Sequence, residues 1–172
     1  MFDFDSIIER RGTHASKWDS IKQRSGGMTG SDIIPMWVAD MDFRVPPGVT
    51  EALTEEVERA VHGYYADTGT WAEALAGWLQ RRHNWEIDPA TVSPTPGVVA
   101  ALGLILQAVS EPGDEVVLFA PVYHAFRRII QVNNRVILDS PLVRTGDRYA
   151  MDLDDLAKRL TPKTKVVFFC SP

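Results

Sequence analysis

A run of four apolar residues, VVLF at residues 116–119, constrains the fold of this chain more than any other feature. No polar residue interrupts the run, so a strand formed there must be covered on both faces, as strands of parallel sheets are. Helical and strand-like patterns alternate around it from residue 91 to residue 170, which is typical of a sheet covered by helices. We therefore predict an α/β fold with three layers and a mostly parallel sheet.

Periodicity and end signals predict the individual elements. Apolar residues recur every four positions from Val49 to Val61, which predicts a helix from residue 47 that stops at Gly63. Thr70 and Glu73 form a capping box, which predicts the start of a second helix. Further helices are predicted at residues 5–11, 98–109, 123–132 and 152–160, strands at 91–95, 115–120, 135–139 and 166–170, and turns at 111–114 and 145–147.

Composition narrows the class of protein. The net charge of −5 argues against a nucleic-acid surface, which needs clustered cations. The single cysteine, Cys170, excludes an internal disulfide framework and a cysteine-based metal site. No signal-peptide pattern opens the sequence, and its longest strongly apolar run is far shorter than the ~20 residues that span a bilayer. We expect a cytoplasmic protein that binds neither membrane nor nucleic acid.

A glycine stands between a predicted strand and the most apolar predicted helix. In TPGVV, residues 95–99, Gly97 precedes a helix whose first amides are free to bind an anion with the help of the helix dipole. The motif also fits a tight turn before a core helix, and alone it favours that turn because it completes no phosphate-binding fingerprint. Since residues 98–109 are apolar on nearly every face, we expect this helix to be buried on most sides.

Two further segments carry residues that chemistry could use. Tyr123 follows the apolar strand, at the edge of the sheet where ligands bind in open α/β folds. Its ring could stack on a planar ligand or pack the next helix onto the sheet, and taken alone it favours packing. The string PMWVADMDF, residues 35–43, predicts an extended segment with Asp40 and Asp42 on opposite faces, which argues against a metal pair.

Taken in order, several motifs resemble one family of enzymes. They are FDFD at residues 2–5, GTHASKWD at 12–19, PMWVADMDF at 35–43, Trp78 with Arg82 and His83, TPGVVAAL at 95–102, PVYHAF at 121–126 and CSP at 170–172. Together they are similar to the N-terminal part of fold-type I, pyridoxal-phosphate enzymes of the class I/II aminotransferase-like family. Within that family they resemble the cystathionine β-lyase or C–S lyase branch, and the string WVADMDF is the most specific element.

The resemblance implies roles for particular residues. The cofactor-binding positions that it implies are Gly97, Val98, Val99, Tyr123 and Tyr64, and the positions beside the substrate are Val38, Ala39 and Asp40. The three amides at the helix start would hold the phosphate of pyridoxal 5'-phosphate, and the ring of Tyr123 would stack on the pyridine ring. Tyr64, with Tyr65 as the alternative, would reach the phosphate of the other subunit. Residues 1–46 would belong to a small domain, and residues 47–172 would form the N-terminal part of the large, cofactor-binding domain.

The activity that the resemblance implies is β-elimination. A pyridoxal-phosphate-dependent carbon–sulfur lyase converts cystathionine or another cysteine S-conjugate into a thiol, pyruvate and ammonia. The resemblance also implies a homodimer and places the Schiff-base lysine after Pro172, so we expect residues 1–172 by themselves to be an inactive part of a longer enzyme. Two alternatives remain open: an aminotransferase on the same fold, and a truncated, non-catalytic piece that acts through protein contact.

Overall fold

The computed structural model describes residues 3–66 and 68–170, and the chain divides into two compact units, Met1–Ala66 and Asp67–Pro172. The predicted boundary between residues 46 and 47 concerns the small and large domains of the family fold, and it stays a prediction. Among the helices of the described residues, none combines the length and the hydrophobicity that a bilayer crossing requires.

The first unit is mostly irregular chain with three helices. They are α1 (Ser16–Asp19), α2 (Ile21–Arg24) and α3 (Pro47–Glu58). The predicted helix at residues 5–11 is wrong: the carboxylate of Asp3 accepts the amides of Asp5 and Ser6, but irregular chain follows and no helix forms. Helix α3 ends before the predicted stop, since Ala60 already has a positive φ of 54°.

The second unit alternates helices and strands. Its elements are α4 (Thr70–His83), a 3-10 turn (Pro89–Thr91), α5 (Val98–Val109), β1 (Glu115–Leu118), α6 (His124–Val132), β2 (Val136–Asp139), β3 (Val143–Thr145), β4 (Arg148–Ala150), α7 (Leu153–Arg159) and β5 (Thr164–Phe168). The predicted strand at residues 91–95 is wrong, because the 3-10 turn occupies its start and Pro94 removes a backbone donor. The capping box is also wrong: Gly69 is the N-cap of α4, and Thr70 already lies inside the helix.

A parallel sheet confirms the predicted α/β class. Its strand order is β2-β1-β5, and both neighbours of β1 run parallel to it. Strand β1 contributes Val116, Val117 and Leu118, which are fully buried, as a central strand covered on both faces requires. The hydrophobic core adds Leu106, Phe126, Ile130 and Phe168 from α5, α6 and β5. The turns at residues 111–114 and 145–147 are confirmed, the latter inside the β3–β4 hairpin.

Helix α5 spans residues 98–109 as predicted, but it is less buried than its apolar sequence predicted. Only Gly103 and Leu106 are buried, and Leu104 on another face is 55% exposed. Within the described residues α5 packs against α6 and β5, so one face of the helix is covered and the remainder of its apolar surface is open.

Candidate functional site

The start of α5 presents backbone amides that have no acceptor. Gly97 precedes the helix with φ 101° and ψ 158°, a conformation that only glycine adopts without strain. Its own amide donates to the carbonyl of Thr95 at 2.7 Å. Within residues 3–66 and 68–170, nothing accepts from the amides of Val98, Val99 and Ala100. Of the three amides to which the family resemblance assigns the phosphate, those of Val98 and Val99 are free in the described structure, whereas that of Gly97 has an acceptor within the chain.

Helices α5 and α6 run side by side in the same direction. Gln107 Nε2 donates to Asn133 Oδ1 at 2.8 Å, across a sequence separation of 26 residues. At the same separation, a Cβ built on Gly103 would lie 3.2 Å from Cδ1 of Ile129. If the same separation is extended toward the N-termini, Gly97, which precedes α5, aligns with Tyr123, which precedes α6. Both helices therefore begin at the edge of the sheet where β1 ends.

The residue that precedes α6 is Tyr123, whose side chain is 49% exposed. Its ring packs edge-on against His124 and Phe126, with centroid distances of 5.0 and 5.6 Å. Phe126 in turn packs against Phe168 of the core at 5.4 Å. The ring is thus fixed to the core through its neighbours and still has open surface on which a planar ligand can stack.

An apolar cavity of about 850 Å³ opens beside Tyr123. The ends of β1 and β5 contribute Phe119 and Phe169 to its wall, and the β3–β4 hairpin contributes Tyr149. Its volume lies within the range of small-molecule sites, and the described residues that line it carry no charged side chain. The cavity offers apolar and aromatic contact at the same edge of the sheet as the free amides of α5.

The donors at the start of α5 have the chemistry of a phosphate site. Three successive N–H groups without acceptors stand at the positive end of a 12-residue helix. The first turn of α5 holds no acidic residue that would repel an anion, and the space around a Cβ at Gly97 is open. The residues present therefore fit the phosphate of pyridoxal 5'-phosphate, the group that the family resemblance implies.

The segment of residues 38–40 lies in the first unit, where ion pairs surround it. Arg10 donates to Asp40 and to Asp42, each at 2.6 Å, and Lys17 donates to Asp42 at 2.7 Å. Trp18 Nε1 also donates to Asp42, at 2.9 Å. The expectation that the two aspartates point to opposite faces is wrong, because the chain bends here instead of forming a regular strand, and one guanidinium reaches both.

Electrostatics at this cluster favour charged carboxylates. Hydrogen bonds from Lys17, then from Trp18 and Arg10, hold the pKa of Asp42 far below its usual range. The pKa of Arg10 is raised in turn by its hydrogen bonds to Asp40 and Asp42. The lowered pKa of Asp42 and the raised pKa of Arg10 both favour the charged forms that make this ion pair.

Tyr64 and Tyr65 lie in the irregular segment that follows α3, and both side chains are exposed. No ring contact or hydrogen bond of Tyr64 is present within the described part of the chain. Its predicted contact with the phosphate of another subunit, and the alternative at Tyr65, stay predictions.

Sequence reasoning missed the residues that hold the segment of residues 38–40. Lys17 and Trp18 belong to the string GTHASKWD, which carries part of the family resemblance, and that string was the available signal. No sequence pattern identified Arg10 as a partner of Asp42, because the two residues lie 32 positions apart and belong to no common motif.

Comparison with known proteins is consistent with this geometry. The family model for aminotransferase class I and II matches residues 31–172. The chain is 41% identical over 172 residues to cystathionine beta-lyase PatB of Bacillus subtilis (strain 168), covering 99% of this chain and 43% of that protein. It is 32% identical over 174 residues to Protein MalY of Escherichia coli (strain K12), covering 100% of this chain and 44% of that protein. The crystal structure of cystalysin from Treponema denticola, which contains a pyridoxal 5'-phosphate cofactor, matches with a TM-score of 0.91 at 31% identity, covering 100% of this chain and 44% of that one.

The match to the two named relatives extends along 99% and 100% of the chain. The chain spans less than half the length of these relatives. The fold class and the family inferred from the sequence are confirmed, since the α/β architecture and the family model agree. The chain belongs to the class I and II aminotransferase family.

Proposed function

We propose that the protein carrying this sequence is a pyridoxal-phosphate-dependent carbon–sulfur β-lyase. Its substrates are cystathionine and other cysteine S-conjugates, which react with one water to give a thiol, pyruvate and ammonia. The observation that carries the proposal is the 41% identity to a cystathionine beta-lyase over 99% of the chain. When bound, the cofactor supplies an electron sink that stabilises negative charge at Cα, which is what loss of a β-thiolate requires.

The first task of this chain is to anchor the cofactor's phosphate. The amides of Val98, Val99 and Ala100 are directed by helix α5 and have no competing acceptor in the described chain. Gly97 allows the backbone to turn into the helix without a Cβ at the point of approach. Since these donors are fixed before binding, little conformational entropy is lost when the phosphate enters.

The second task is to orient the planar ring and exclude water from one of its faces. Tyr123 provides an aromatic face fixed through Phe126, at the same edge of the sheet as the phosphate donors. Offset stacking of this kind contributes on the order of 1 kcal/mol beyond the buried area. The tyrosine thereby orients the ring and shields one of its faces.

The remaining assignments concern the substrate and the assembly. Val38, Ala39 and Asp40 line the substrate side of the site, and Tyr64 contributes to the site of a second copy in a homodimer. Support comes from the family resemblance of the strings that carry these residues. We also propose that the protein functions in the cytoplasm.

The reaction can be tested directly on the protein that carries this sequence. We expect thiol and pyruvate to appear in equal amounts from cystathionine, without any added keto acid. Binding of pyridoxal phosphate without release of thiol or pyruvate from any S-conjugate would refute the lyase assignment. Turnover that requires a keto acid would instead support an aminotransferase. Residues 1–172 expressed alone are expected to be inactive in the same assay.

The phosphate anchor can be tested with a matched pair of glycine variants. Gly97 and Gly113 both have positive φ, 101° and 89°, and open space at the Cβ position. Gly97 directly precedes α5, whereas Gly113 lies in the turn that follows the helix. Each alanine variant therefore strains a backbone with positive φ, and only Gly97→Ala does so beside the free amides. We expect Gly97→Ala to weaken cofactor binding by about tenfold or more and Gly113→Ala to leave it nearly unchanged. If both variants lost the same affinity for the cofactor, the start of α5 would not be the phosphate-binding site.

A further inference from the structure

The segment of residues 30–45 is held in place by side chains. In the described structure its backbone makes no hydrogen bond to another backbone group. Its carbonyl groups instead accept from cationic side chains: Lys17 donates to the carbonyl of Asp40 at 2.9 Å, and Arg10 to that of Met41 at 3.4 Å. Trp37 Nε1 donates to the carbonyl of Lys17 at 3.0 Å. Without these contacts, no secondary structure would fix the conformation of this segment.

Asp42 is the residue on which these contacts converge. Its carboxylate accepts hydrogen bonds from Arg10, Lys17 and Trp18 at 2.6 to 2.9 Å. The same two cations also hold the neighbouring Asp40, through its side chain and its carbonyl. Removal of the Asp42 charge would therefore loosen both cations that hold the segment.

The carboxylate of Asp40 already has a partner. Arg10 Nη2 lies 2.6 Å from Asp40 Oδ2, and the Arg10 side chain is only 23% exposed. Arg10 therefore occupies one oxygen of this carboxylate and offsets its charge, which weakens its attraction for the ammonium group of an amino acid. The cations also neutralise both aspartates, so an anionic substrate carboxylate meets no net negative charge on this segment.

We propose that Asp42 is a positioning residue, whose ion pairs with Arg10 and Lys17 hold residues 38–40 in their substrate-binding conformation. Asp40 belongs to this clamp and is not a ligand of the substrate ammonium group. The inference rests on the proposed function in one respect, namely that residues 38–40 lie beside the substrate.

The first test measures conformation and needs neither cofactor nor activity. In the protein carrying this sequence, hydrogen exchange of the Trp37 indole N–H, which donates to the carbonyl of Lys17, is compared for wild type, Asp42→Asn and the control Glu55→Gln. Glu55, on α3 of the same unit, pairs with Arg59. We expect about tenfold faster exchange in Asp42→Asn and no change in Glu55→Gln. Unchanged exchange in Asp42→Asn would overturn the inference, even if the protein proves not to be a lyase.

The second test separates positioning from simple loss of structure. We expect Asp42→Asn to raise KM for an S-conjugate about tenfold while kcat falls less than threefold, because binding is lost before chemistry. Asp40→Asn should raise KM less than Asp42→Asn. A larger effect in Asp40→Asn would overturn the clamp and indicate a direct ammonium contact. If Asp42→Asn does not fold, Trp18→Phe, which removes one of the three donors, should show the same pattern about two- to threefold in size; an unchanged KM in Trp18→Phe would contradict the proposal.

Discussion

The two units of the chain are held together by different forces. All buried hydrophobic side chains of the described residues lie in the second unit, and most of them form a cluster around β1. No residue between positions 3 and 66 is buried, and the ion pairs of Asp42 take the place of a core in the first unit. Apolar burial is non-directional and scales with area, whereas partly exposed ion pairs depend on geometry, salt and charge state. The second unit should therefore respond to changes of volume, and the first to changes of charge.

The largest effect is expected from a cavity in the second unit. Leu106 has no exposed surface and belongs to the core cluster, whereas Leu104 on the same helix is 55% exposed. Leu106→Ala should lower the free energy of unfolding by about 2–5 kcal/mol, because it removes buried methyl groups and leaves a cavity. Leu104→Ala should change it by less than about 0.5 kcal/mol. Urea denaturation measures both, and equal effects would mean that α5 is covered on another face.

The second largest effect on stability is expected from Arg135, a buried cation. It tests the comparison between the two units because it is a charged group inside the unit that is otherwise held together by apolar burial. The guanidinium of Arg135 donates to the carbonyls of Leu106, Ser110 and Asn133 and to the hydroxyl of Ser110. Arg135→Met should cost about 1–3 kcal/mol, since carbonyls at the end of α5 lose their donors. Arg128, which is exposed on α6, is the control. Thermal unfolding in which Arg128→Met is as harmful as Arg135→Met would contradict this account.

The smallest expected effect concerns the charge state of Asp42 in the first unit. Its hydrogen bonds lower its pKa below the ordinary value of 3.8. The stabilisation is therefore complete above pH 3.8 and is lost only as pH falls through the lowered pKa. The indole N–H resonance of Trp18 can be assigned with Trp18→Phe. Its chemical shift should stay constant as the pH falls past 3.8, and should move only when the pH reaches the lowered pKa of Asp42. A shift that titrates above pH 3.8 would show that Asp42 is not held in this way.

The contrast between the units also explains what the sequence could predict. Strand β1, helices α5 and α6 and the turn at Gly113 were predictable, because each depends on local periodicity and on residues with a conformational preference. The cap of α7 was predictable for the same reason, since Asp152 accepts the amide of Asp155 three residues later. The apolar unit is therefore largely visible in its sequence.

Other features depend on distant partners and were not predictable. The ion pairs of Asp42 join residues far apart in sequence, and the irregular chain around them shows no periodicity. The apolar residues of α5 predicted a helix buried on most sides, but one face is exposed. An apolar pattern shows which residues a helix can bury, and it does not show which element covers them. At the candidate site, the register of α5 and α6 through Gly103 required coordinates.

We propose that the start of α5 binds the phosphate of the cofactor. The most direct measurement follows the backbone amide resonances of the protein carrying this sequence during a titration with pyridoxal 5'-phosphate. We expect Val98, Val99 and Ala100 to show the largest downfield proton shifts, while the amide of Gly113, in the turn after the helix, stays unchanged. Binding of the cofactor with these three resonances unmoved would contradict this role of α5.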